Sequence, residues 1–395
     1  MKILFVANRF PFPPHRGDKI KIYNLARKLA LKHELILVTF TQDKQDLANL
    51  SKLNHIFSRV ETIHLPQWKS VLSCSRFLID KSPLQVLYFR SNAFKKLLSK
   101  VVAEEQPDVV HVQHLRMSQY LNQLAGIPAL LDLPDAFSMY WERRKNQAAG
   151  VLKKMFNTME FKRLEKYELI LKRFNLCVAC SKEDVNYLIK KHELTNIKVL
   201  PNGVDVEVFS SGMGHDYSQN KILLFTGNMN YAPNVDGVQY FVKDILPLIH
   251  KKHPQVKFVI AGQNPVHSVL TLASEQVEVT GFVIDIVDYY KQAAVVVAPL
   301  RIGAGTQNKV LEALSMAIPV VCTRVGFEGL GIKQGEGAFM ETENTAFANR
   351  VMELLDNQEL RKSTGLSGQA MIRKQFDWNV VASVLEEYLK EIKHG

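Results

Sequence analysis

The 395-residue sequence lacks the features that mark several large classes of protein. No apolar run approaches the roughly 18–20 residues needed to cross a bilayer. The opening stretch MKILFVANRF holds too few apolar residues for the core of a secretory leader. A cytoplasmic location is the expectation. Four cysteines over this length do not form a disulfide framework. The single Cys177-x-x-Cys180 pair has no second pair to complete a zinc site, so core packing is its expected role. Zinc-finger spacing and aromatic nucleic-acid-binding strands are also missing, which argues against a nucleic-acid partner.

What is there is a globular composition, 47% hydrophobic and 23% charged, long enough for two domains with a core each. Charge is divided unevenly. Residues 1–200 hold 33 Lys and Arg against 18 Asp and Glu, a net of +15, whereas residues 201–395 hold 17 against 21, a net of −4. A basic half suits an acidic substrate or an anionic membrane surface, or is a solvated basic face.

Two segments repeat one plan. Residues 1–40 and 220–262 each read as strand, loop, amphipathic helix, strand. The chain is therefore expected to be α/β, with two doubly wound domains in tandem. The expected division is 1–205, 206–375, and a closing helix over 376–395 that packs back on the first domain. Neither βαβ start carries G-x-G-x-x-G, which argues against a nicotinamide dehydrogenase.

The stretch LRIGAGTQNKVLEALSMAIPVV, residues 300–321, carries the most chemistry. It lies between two short β-branched runs, AAVVVAP and IPVVCT, of the kind buried on both faces of a parallel sheet. The helix between them should start at the carboxyl edge of that sheet, where backbone N–H groups attract anions. With Thr306 as cap, the N–H groups near 306–309 could hold a diphosphate, and Arg301 and Lys309 would add charge. Glu312, one turn in, would accept hydrogen bonds from ribose hydroxyls. The alternative is a surface pairing with Lys309 at i,i+3.

Taken in order, HRGDKIK, PDVVHVQH, VLPNGVDVEVF, GFVIDIVDYY and GTQNKVLEALSMAIPVV resemble the retaining glycosyltransferases of the GT-B group, family 4 or "group 1", which build bacterial polysaccharides and glycolipids. That resemblance implies two Rossmann-like domains facing a cleft and transfer from a nucleotide-diphosphate sugar to a polysaccharide or lipid-linked acceptor. It also implies retention and no cofactor beyond the donor. No D-x-D triplet of the sort that carries metal in the other large glycosyltransferase fold is present, so no metal is expected.

Donor-binding candidates are Gly17, Asn228, Gly303, Gly305, Thr306, Gln307, Asn308, Lys309 and Glu312. Arg301, Lys309, His114 and Asp135 are the catalytic candidates, and Arg16, Lys19, His114 and Asp135 the acceptor-side ones. The chain departs from the family at Ala304, where many relatives carry a Glu eight positions before Glu312. It departs again at Asn228, Asn230 and Asn234, near which relatives carry an Arg and a Lys. An epimerase of the same fold and a catalytically silent binding subunit remain open.

Strand ends HVQH and DLPD offer His114 and Asp135 for an acceptor hydroxyl, while His111 reads as a core residue. A basic helix near 142–173 interleaves Lys and Arg with Met155, Phe156, Met159 and Phe161. It suits peripheral attachment to the inner face of the cytoplasmic membrane, or is an ordinary amphipathic helix.

Overall fold

The computed structural model describes residues 1–14, 17–124, 126–147, 150–210, 214–218, 221–303 and 305–395. It divides into two compact units, one of residues 1–201 with 381–395 and the other of residues 202–380.

In the first unit, strands β1 (Lys2–Ala7), β2 (Glu34–Thr41), β3 (Arg59–His64), β4 (Val109–Gln113), β5 (Ala129–Leu133), β6 (Leu176–Ala179) and β7 (Ile197–Val199) form one sheet. Its order is β3-β2-β1-β4-β5-β6-β7, and all its pairs are parallel. The order reverses between β1 and β4, which register Phe5 against His111. Apolar runs such as ILFV and LILV are buried throughout because helices cover both faces of a doubly wound sheet. The closing helix, Trp378–His394, joins this unit from Val381 onward. There Glu386 meets Lys32, Lys393 meets Asp108 at 2.9 Å, and the Tyr388 hydroxyl donates to the Val199 carbonyl at 3.1 Å.

The second unit contains β8 (Ile222–Thr226), β9 (Lys257–Ala261), β10 (Val277–Gly281), β11 (Val295–Ala298), β12 (Val320–Cys322) and β13 (Ala338–Met340), in the order β10-β9-β8-β11-β12-β13. All are parallel, and the reversal lies between β8 and β11. Alternate side chains feed two cores: Leu223, Phe225, Val295 and Val297 pack on one face, Leu224 and Val296 on the other. Both units are thus the doubly wound α/β architecture expected from the sequence.

Two local features differ from expectation. The basic stretch is not one helix. It is Phe137–Asn146, then Val151–Tyr167, then a 3-10 turn over Glu168–Arg173, with Gly150 at φ +91° before the second helix. Helix Gln358–Gln375 has little sequence signal because Gly365 and Gly368 lie inside it. Contact explains both glycines: a Cβ on Gly365 would lie 1.9 Å from the Ala317 carbonyl oxygen, and one on Gly368 would lie 2.8 Å from Leu314.

Candidate functional site

In an open parallel sheet, the crevice for a ligand opens at the carboxyl ends of the strands flanking the reversal. In the second unit that is the space beyond β8 and β11, and it gathers most of the donor candidates. The loop after β8 turns at Gly227 (φ +154°), whose carbonyl lies where any Cβ on Gly262 would fall, 1.8 Å away. Only glycine at 262 lets the loops after β8 and β9 touch. Asn228 shapes the turn with its own side chain, Oδ1 accepting from the Asn230 N–H at 3.2 Å.

The loop after β11 carries Arg301, Gly303 (φ +152°) and Gly305 (φ +73°) into the helix Asn308–Ser315. Thr306 does not cap this helix as expected. Gln307 occupies the cap position and makes no side-chain capping bond, while Thr306 is buried one residue earlier. A phosphate could therefore reach the N–H groups of Asn308 and Lys309, with no capping side chain in its way. Asn202 braces the approach, its amide lying 3.3 Å from Asn308 Oδ1 and 3.4 Å from the Thr306 carbonyl. Ala304 lies outside the described residues.

Lys309 is buried, with its ammonium 3.0 Å from Asn234 Oδ1 and 4.7 Å above the Phe225 ring. Asn234 in turn donates to the Asn228 carbonyl at 2.9 Å. One cation thus joins the two loops across the reversal. Burial pulls Lys309 down to about 8, against a smaller upward pull from Glu312. Its nearest partner is a neutral amide, so an arriving dianion would meet an under-compensated charge. Arg301 differs: Nε and Nη2 bind Asp236 at 3.0 and 2.6 Å, and the guanidinium stacks over Tyr240. Its charge is matched locally by a carboxylate, whereas that of Lys309 faces a neutral amide.

Glu312 is not a surface partner of Lys309. Its Oε2 accepts from the buried Tyr290 hydroxyl at 2.8 Å. Tyr290 also lies 2.8 Å from Thr226 Oγ1. A phenol has one proton and the carboxylate is the stronger acceptor, so Thr226 donates to Tyr290 and Tyr290 to Glu312. Burial pushes Glu312 above the usual carboxylate range, and the Tyr290 bond and Lys309 pull it back. Among the described residues Oε1 has no hydrogen-bond partner. Tyr290, 22 residues away from Glu312 in the chain, and Asp236, which holds Arg301, are partners that sequence reasoning missed.

The acceptor-side candidates, and with them the donor candidate Gly17, lie in the first unit. Gly17 opens the helix Gly17–Leu29 after β1, and Lys19 pairs with Asp46 at 3.7 Å; Arg16 lies outside the described residues. Lys19 helps line a cavity of about 370 Å³ with Arg9, Phe10, Gln42 and Asn49. His114 and Asp135 stand just past the carboxyl ends of the paired strands β4 and β5. His114 holds φ +81°, a costly backbone for a non-glycine residue. Its Nδ1 accepts the Arg116 N–H at 3.4 Å, so the neutral ring carries its proton on Nε2 and can donate there. Burial, aided by the charges of Arg116 and Arg9, keeps it neutral well below the usual histidine range. His111 is a core residue, its Nε2 3.3 Å from Asp132, which also holds the buried Lys21 at 2.7 Å.

Asp135, unlike His114, holds its proton tightly. Burial first and the neighbouring Asp184 second push it up to about 8. Asp184 is itself held by the Ala136 N–H and Ser181. A raised carboxyl binds its proton more tightly folded than unfolded, so stability should fall as pH rises from about 4 to about 8. Asp135→Asn should lack that slope. Its melting temperature should match wild type near pH 4 and exceed it by on the order of 5 °C above pH 8. Parallel curves for the two proteins would place Asp135 in an ordinary solvated setting.

Among the described residues no group of three or more His, Cys, Asp or Glu is placed to hold a metal ion, and no helix is long and apolar enough to cross a membrane.

Comparison with known proteins assigns both halves. Residues 21–208 match the family model described as Glycosyltransferase Family 4, and residues 220–357 match that described as Glycosyl transferases group 1. An uncharacterized 44.6 kDa protein in the cps region of Klebsiella pneumoniae is 21% identical, over 98% of this chain and 99% of its own. The fold is that of sucrose-phosphate synthase from Thermosynechococcus elongatus, with a TM-score of 0.75 at 15% identity over 99% of both chains. HepE of Anabaena, solved with UDP, gives 0.69 at 16% identity over 99% of this chain and 100% of its own.

Proposed function

The chain belongs to the glycosyltransferases matched along both of its halves, and we propose that it moves a sugar from a nucleoside-diphosphate sugar to a hydroxyl of a polysaccharide or lipid-linked acceptor. The observation that supports this reading is the pairing, at one sheet reversal, of a buried cation beside a neutral amide with a carboxylate held through one oxygen, a combination that suits a phosphate and a ribose. Lys309 and the first N–H groups of its helix take the diphosphate, and Glu312 Oε1 takes the ribose hydroxyls. HepE, which shares the fold, has been seen with UDP and with UDP-glucose.

As the bond from sugar to phosphate breaks, negative charge grows on the departing diphosphate. A buried ammonium and fixed N–H dipoles stabilise that charge without reorganising, typically the largest catalytic contribution in such sites. No metal is assigned to this step. Arg301, oriented by Asp236, adds field at the rim. On the acceptor side His114 orients a hydroxyl through Nε2–H and Asp135, once ionised above about 8, accepts its proton. Retention of configuration is carried over from the resemblance.

The reading is tested by incubating the protein with UDP- and GDP-sugars, with and without polysaccharide and lipid-linked acceptors, and following both nucleotide and product. Acceptor-dependent release of the nucleoside diphosphate with a glycosylated product is expected. Acceptor-independent conversion of the donor would make the protein an epimerase, and binding without turnover a silent subunit.

A further inference from the structure

We propose that the helix Val151–Tyr167, with the segment 77–82 packed against it, is a docking surface for an anionic lipid bilayer. The claim concerns the first unit and does not depend on the donor reading.

The inner face of this helix packs into the first unit. Phe161 and Leu164 are buried, Glu160 accepts the Leu84 N–H at 2.9 Å, and Asn157 donates to the Arg144 carbonyl at 3.1 Å. The outer face is apolar as well. Val151 is 75% exposed, Leu152 83% and Met155 63%. Val151, Met155 and Met159 follow one another at four-residue spacing and floor a groove of about 570 Å³. On a solvated helix those positions would be polar.

Arg163 binds segment 77–82 beside the groove. Its guanidinium stacks on the Phe77 ring at 3.7 Å and donates to the carbonyls of Phe77 and Asp80 at 2.9 and 3.2 Å. Ile79, 90% exposed, stands on that segment.

Charge identifies the occupant. Lys81, Lys154, Lys162 and Lys166 line the groove, exposed and with no carboxylate partner among the described residues. The nearby acids are already occupied: Glu160 faces inward, Glu165 pairs with Lys191 at 2.5 Å, and Asp80 pairs with Arg90. An apolar floor ringed by long-stemmed cations, with no acidic counterpart, matches a uniformly anionic layer. The ammonium groups sit among phosphates while Val151, Leu152, Met155 and Ile79 enter the acyl boundary. Arg163 is committed to backbone carbonyls, so it belongs to the scaffold of this surface and not to its ionic contacts.

The test is co-sedimentation of the full chain with phosphatidylcholine vesicles, with or without phosphatidylglycerol, at low and near-physiological salt. Partition onto the anionic vesicles should exceed that onto the neutral ones by at least about tenfold and weaken as salt rises. Changing Lys81, Lys154, Lys162 and Lys166 together to Gln should lower anionic binding by at least about tenfold. Val151→Ser with Leu152→Ser and Met155→Ser should lower it with every lysine still present. Unchanged circular-dichroism melting should confirm that both variants fold. Equal partition on the two vesicle types, absence of binding to either, or undiminished binding of the lysine variant would overturn the proposal. So would self-association in sedimentation analysis that the apolar variant abolishes, because the face would then be an interface between copies.

Discussion

Replacing Glu312 with alanine should weaken binding of a nucleoside diphosphate by at least about tenfold, roughly 1.4 kcal/mol. Glu312 is held by one buried hydrogen bond from Tyr290, so its remaining oxygen is oriented before any ligand arrives. Preorganised acceptors of this kind lose little entropy on binding. The partner is the ribose, present with or without phosphates, so uridine or guanosine affinity should fall by the same factor as that of the diphosphate. Tyr290→Phe separates positioning from contact. It leaves the carboxylate in place but removes the donor that fixes Oε2, so affinity should fall by about threefold to fivefold, less than in Glu312→Ala. Calorimetric titration of the three proteins checks the order. Undiminished nucleotide affinity in Glu312→Ala would end the ribose assignment.

The second large effect is expected at Lys309. Lys309→Met keeps most of the buried volume and removes the charge, and turnover should fall by roughly 10²–10³, as when a preorganised oxyanion donor is lost. Arg301→Ala should cost less, because Asp236 already balances its guanidinium. The pH profile gives an independent reading. Burial sets Lys309 at about 8 in the free protein, so wild-type kcat/KM should fall on the alkaline side of that value, whereas in the Met variant it should rise through it and level off as Asp135 ionises. Stability runs in the opposite sense. Because its folded value lies below the ordinary 10.5, the folded chain holds fewer protons between about 8 and 10.5, and wild-type stability should rise across that window. The Met variant should be no less stable than wild type at pH 7, so its lost turnover cannot be ascribed to unfolding. If nucleoside binding fell as far as turnover, the phosphate role would be wrong.

Much of this was readable before any fold was known. The strands β11 and β12 announce themselves as VVVA and PVVC, and the helix between them must start at a sheet edge. Glu312 stands out as a lone carboxylate in an apolar run, and the charge split pointed to the first half as the basic surface. These signals are local: β-branched runs, helical spacing and summed charge depend on neighbours in the chain. Helix Gln358–Gln375 escaped because its glycines answer to Ala317 and Gly337, far away in sequence.

The residue types available for chemistry, the alternation of strand and helix that builds two parallel sheets, and the loop expected to bind phosphate were thus determined by sequence alone. Tertiary structure decided how those residues are used. It matched Arg301 to Asp236 and set the Lys309 ammonium against the neutral amide of Asn234, 75 positions distant. It moved the helix start past Thr306, and it brought Tyr290 to Glu312. It also broke the basic stretch into two helices, leaving apolar side chains of the second uncovered. The physical reason is that hydrogen-bond partnership, burial and the pKa shifts they cause depend on which strands become neighbours. Strand neighbours follow from the packing of the whole sheet, which no window along the chain contains.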